Sequence, residues 1–127
     1  MAKQHIVLCG DSIIDNGSYV NKGELDVAGQ VQEELPDSKV TLLAVDGRKT
    51  KDIKEQLKNL PKDATHMFIS IGGNDGYNRM DVFDESANTI GDAMGPLYKM
   101  RNEFEIDYNK MLKNVLSYGV PTTLCSI

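Results

Sequence analysis

Four short apolar runs, Ile6–Cys9, Val40–Val45, Met67–Ile71 and Pro121–Ile127, alternate along the chain with stretches whose apolar residues recur every three or four positions. Leu25, Ala28, Val31 and Leu35 predict a helix over Glu24–Leu35 that Pro36 ends. Ile53, Leu57 and Leu60 predict a second one, with Thr50 as its N-cap and Pro61 as its stop. Gly76–Gly95 shows no period. Beyond it Pro96 is suited to open a long helix in which Met100, Phe104, Tyr108, Met111 and Val115 form a core-facing stripe and Gly119 supplies the C′ position. Continuous apolar strands separated by helices make an α/β fold, with a parallel sheet covered on both faces.

In such a sheet, ligands bind outside the carboxyl ends of the strands. Three polar loops fall there: Gly10-Asp11-Ser12 after the first strand, Asp46-Gly47-Arg48 after the second, and Gly72-Gly73-Asn74-Asp75 after the third. Each also has a plain architectural reading. Ser12 suits a turn or a helix N-cap, Gly47 a turn that needs a positive φ, and Asn74 a left-handed turn position. Asp11, Asp15, Asn16 and Asp75 read as loop-organising acceptors for backbone N–H groups.

Taken together and in this order, the three blocks resemble those of the SGNH hydrolases, also called the GDSL esterase and lipase family. The resemblance implies a three-layer, flavodoxin-like α/β fold with strand order 2-1-3-4. It makes Ser12 the nucleophile for carboxylic esters, with the N–H groups of Ser12 and Gly47 and the side-chain amide of Asn74 as oxyanion donors. It implies no metal or organic cofactor. The family's fourth block, an Asp-x-x-His that brings the acid and base, has no counterpart near the end of these residues, so the resemblance covers a single domain over 1–127 that lacks the C-terminal part. Asp63-Ala64-Thr65-His66 spells the motif but opens the third strand, at the opposite sheet edge from Ser12. His5, at the start of the first strand, is misplaced for the same reason and reads as a surface residue of the strand entry. The alternative to a serine esterase is an incompetent remnant or interaction module completed by another chain.

Composition narrows the partners. A net charge of −5 argues against nucleic acid and anionic membranes, leaving a small-molecule ester as the expected ligand. No apolar run is long enough for a membrane span, and no secretory signal is visible, so a cytoplasmic location is the expectation. Gly47-Arg48-Lys49-Thr50 lacks the upstream glycine of a phosphate loop, and Asn74–Glu85 lacks the spacing of a calcium loop. Cys9 and Cys125, both inside expected buried strands, read as reduced apolar residues. The final strand, 120–127, presents Leu124, Cys125 and Ile127 at a sheet edge, and self-association is expected through it.

Overall fold

In the computed structural model, which describes residues 3–126, four parallel strands form one sheet in the order β2-β1-β3-β4. They are β1 (His5–Gly10), β2 (Lys39–Leu42), β3 (His66–Ser70) and β4 (Thr122–Leu124). The helices are α1 (Val27–Glu34), α2 (Ile53–Leu57), α3 (Gly73–Tyr77) and α4 (Ile90–Leu116). This is the α/β topology expected from the sequence. Met1, Ala2 and Ile127, the last residue of the expected fourth strand, lie outside the described residues.

Alternation along the strands divides the core. Val7, Cys9, Met67 and Ile69 face Ile53 and Leu57 of α2 and Met111 and Val115 of α4. Ile6, Leu8 and Phe68 face the other way, where α1 brings Val27, Ala28 and Val31. Among the described helices α1 alone packs on that second face, beside Ile14 and Ala44 from the loops, and a cleft of about 960 Å³ opens next to it, lined by Leu8, Ile13, Val31, Phe68 and Cys125. Ile13 is 65% exposed on its rim. Burial pushes the Cys9 thiol up to about 12, so it stays protonated as an apolar filler. Cys125 is only half-buried, because β4 is the edge of the sheet.

Several boundaries differ from the sequence reading. Helix α1 starts at Val27 rather than Glu24, because Asp26 caps the Gly29 N–H at 2.8 Å and Asn16 Oδ1 accepts from the Val27 N–H at 2.9 Å. Strand β2 ends at Leu42 rather than Val45. The N–H groups of Leu43 and Ala44 both reach the Leu8 carbonyl, at 2.8 and 2.9 Å, and break the ladder in the manner of a bulge. Thr50 is not an N-cap but the first residue of a 3-10 turn, Thr50–Asp52, that runs into α2. Helix α4 begins at Ile90, with Pro96 inside it rather than at its start. Thr89 Oγ1 caps the Asp92 N–H at 3.0 Å while the Asp92 carboxylate accepts from the Thr89 N–H at 3.1 Å. At the other end Ser117 is the C-cap, so Gly119, at φ 67°, stands two residues beyond it rather than at C′. Met100 and Phe104, expected in the core, are half-buried and line a surface cavity.

His5 also departs from expectation, being buried rather than at the surface. Its Nδ1 is hydrogen-bonded to Asp63 Oδ1 at 2.8 Å and its Nε2 to Thr41 Oγ1 at 2.7 Å. Lys39 Nζ completes the cluster at 2.6 Å from Asp63 Oδ2.

Candidate functional site

The serine loop depends on a close backbone crossing. Gly10 ends β1 at φ 138°, and a Cβ there would lie 1.9 Å from the Ser70 carbonyl oxygen. Only glycine fits. Buried Gln56 meets both polar groups of Gly10: its Oε1 accepts from the Gly10 N–H at 2.9 Å, and its Nε2–H donates to the Gly10 carbonyl at 2.8 Å. The chain then turns sharply. Asp11, itself buried, takes the Ile13 N–H on Oδ1 at 3.0 Å and the N–H groups of Ile14 and Asp15 on its carbonyl. Ser12 is left half-buried at the top of this turn.

The other two loops are tied to it and to each other. Asp15 Oδ2 accepts from the Asp46 N–H at 2.8 Å, and the Tyr19 hydroxyl donates to Asp46 Oδ2 at 2.8 Å. That hydrogen bond to a carboxylate raises the Tyr19 pKa above the ordinary phenol value. Between the second and third loops, Asn74 Nδ2–H donates to the Arg48 carbonyl at 3.0 Å, and Asp75 Oδ2 accepts from both the N–H and the hydroxyl of Thr50, each at 2.9 Å. Asp11, Asp15, Asn16 and Asp75 are thus the loop-organising acceptors the sequence suggests. The left-handed reading of Asn74 fails: among the described residues only glycines have positive φ, and Asn74 lies in α3. Gly47 does occupy a positive-φ turn, at 79°.

The donors that remain unused are informative. Neither the Ser12 N–H nor the Gly47 N–H has an acceptor among the described residues. Asn74 Nδ2 carries two N–H bonds and spends one on Arg48. These three residues follow β1, β2 and β3, which are neighbours in the sheet.

Neither histidine comes near Ser12. In the β1·β3 ladder His66 pairs with Ile6, and Gly10 pairs with Ser70. The four residue steps from Ile6 to Gly10 span about 13 Å of strand before the serine turn begins. His66 instead bonds Thr65 Oγ1 at 3.0 Å, and His5 is engaged by Asp63 and Thr41. Asp63 serves His5 rather than His66, so Asp63-x-x-His66 is not a catalytic unit within this chain.

Sequence reasoning missed Gln56, Thr50 and Tyr19 as organisers of the site. Nothing in local pattern marks them, since their partners stand 46, 25 and 27 residues away.

No protein-family model matches the sequence, and no curated protein matches it. Solved structures do match its fold. An extracellular lipase from Streptomyces rimosus superposes with a TM-score of 0.62 at 18% identity, over 97% of this chain and 58% of the lipase. The acetyl xylan esterase AlAXEase gives 0.63 at 18% identity, over 95% of this chain and 57% of that one. Phospholipase A1 from Streptomyces albidoflavus NA297 gives 0.63 at 19% identity, over 97% and 58%. At these identities the likeness is one of fold: the chain has the α/β architecture of these esterases and lipases, and spans under two thirds of their length. No described helix is long and apolar enough to cross a membrane.

Proposed function

We propose that these residues form the nucleophile and oxyanion half of an SGNH-type serine hydrolase acting on carboxylic esters. Ser12 Oγ attacks the ester carbonyl. The N–H groups of Ser12 and Gly47 and the free N–H of Asn74 stabilise the tetrahedral oxyanion, the alcohol leaves, and water releases the acyl group by the same steps. The proton acceptor for Ser12 is a group other than His5 and His66. The observation that carries this reading is the trio of unengaged donors at the ends of three adjacent strands, with the serine among them. The fold shared with solved esterases and lipases supports it.

External imidazole tests the reading by standing in for the absent base. These 127 residues alone are expected to hydrolyse p-nitrophenyl acetate slowly or not at all, because a triad without its base retains at most a residual enhancement of about 10³–10⁴ over water. Added imidazole should raise turnover above the rate seen with Ser12→Ala, and Asn74→Ala should lower that increment by about 10²–10³. An imidazole-dependent rate identical in wild type and Ser12→Ala would refute the assignment.

A further inference from the structure

A second feature borders the third loop, along the seam between α4 and residues 49–54. Two adjoining cavities, of about 370 and 340 Å³, share Lys51 and Asp107. The first has Met100 and Phe104 as an apolar floor, with Lys49, Arg79 and Arg101 around it. The second is flanked by Lys54 and Lys110. Together they gather six cationic side chains against two carboxylates, Asp75 and Asp107, in a chain whose net charge is −5.

The local balance separates the cations. Arg79 is paired with Glu103, and Arg101 with Glu105 at 3.1 Å. Lys49, Lys51, Lys54 and Lys110 have no carboxylate within ion-pair distance among the described residues. Asp75 is committed to Thr50. Four lysines therefore face one exposed carboxylate, Asp107, and like charges are gathered where scattering them would cost less.

We propose that this cleft binds an organic phosphate, with the phosphate among Lys51, Lys54 and Lys110 and an apolar arm on Met100 and Phe104. Three ammonium groups match the charge and the acceptor oxygens of a phosphate monoester, while the thioether and ring suit an alkyl or aromatic arm. The combined space is of the size that holds a small ligand. The site does not depend on Ser12, and its test does not use hydrolysis.

The probe is octyl phosphate, titrated into ¹⁵N-labelled protein, with 1-octanol and inorganic phosphate as single-feature controls. Saturable shifts are expected at Thr50–Lys54, Gly72–Gly76 and Met100–Asn114, with each control binding more weakly and added salt weakening the octyl phosphate complex. The double variant Lys54→Gln, Lys110→Gln changes two exposed side chains, and its circular dichroism is expected to match wild type. It should bind octyl phosphate roughly tenfold more weakly or worse, the scale of losing one charge-assisted hydrogen bond. Equal affinity in that variant, shifts confined to the Leu8, Val31 and Phe68 cleft, or no saturable shift at millimolar probe would each overturn the proposal.

Discussion

The side chain of Gln56 pairs with the backbone of Gly10 as a neighbouring strand would, receiving its N–H at 2.9 Å and donating to its carbonyl at 2.8 Å, both buried. The pairing lies one turn of chain before Ser12 and holds the strand end from which the serine loop departs. Replacing Gln56 with Leu keeps the volume and orphans the buried Gly10 N–H, at a cost of about 1–3 kcal/mol, while the Gly10 carbonyl keeps the Val45 N–H at 3.1 Å. Urea unfolding of Gln56→Leu is expected to show a loss of at least one such increment. A variant as stable as wild type would mean that water or a local shift satisfies Gly10 instead.

Gly10 and Gly47 both have positive φ, yet they answer differently to a methyl group. At Gly10 the new Cβ meets the Ser70 carbonyl at 1.9 Å, whereas at Gly47 nothing lies within 4 Å. Gly47→Ala is therefore expected to cost only the backbone penalty of about 1–2 kcal/mol. Gly10→Ala must displace β1 from β3 and should exceed the roughly 4–5 kcal/mol that marks exceptional substitutions. Thermal unfolding followed by circular dichroism measures both, and comparable losses at the two sites would contradict the crossing described here.

Where local chemistry decides structure, the sequence told most. The strands, their parallel pairing and the three loops at one sheet edge follow from apolar runs and from the glycines and acids that end them. Helix α4 shows how two local signals compete: Pro96 is suited to a first turn, but Thr89-Ile90-Gly91-Asp92 is a capping box, and its reciprocal hydrogen bonds start the helix earlier. Neither His5 nor Gln56 could be placed by such signals. Burial of His5 requires Thr41 and Asp63, 36 and 58 residues away, and those contacts exist only once the sheet has assembled. The oxyanion candidates share that property, because Gly47 and Asn74 are ordinary turn and helix residues until β2 and β3 flank β1.

The cluster at the amino edge makes stability depend on acid. Asp63 is held down at about 2 against an ordinary 3.8, first by the Lys39 ammonium and then by His5. A carboxyl whose folded pKa is depressed contributes stability that is present above its unfolded value and lost as pH falls through the folded one. For Asp63 that window runs from about pH 4 to about pH 2. Asp63→Asn keeps an acceptor for His5 but cannot ionise. The difference in urea midpoint between wild type and Asp63→Asn is expected to be largest near neutrality and to shrink across that window. A difference that holds constant from pH 6 to pH 2 would show that the charge of Asp63 contributes nothing.

Strand β4 closes the sheet order with only three residues, and its outer backbone groups have no partner strand among the described residues. Leu124 there is 41% exposed, and the half-buried Cys125 joins the strand edge to the apolar cleft beside α1. An apolar edge with unpaired N–H and C=O groups is a template for pairing with another chain, and its exposed area carries an unfavourable hydration free energy of about 25 cal/mol per Å². The chain is therefore expected to self-associate at micromolar concentration in sedimentation velocity, with a weight-average coefficient that rises with loading. Leu124→Lys places a charge on that edge and should restore the monomer without changing the circular dichroism. Sedimentation of the unmodified chain as a monomer over the whole concentration range would show that the edge is protected without a partner.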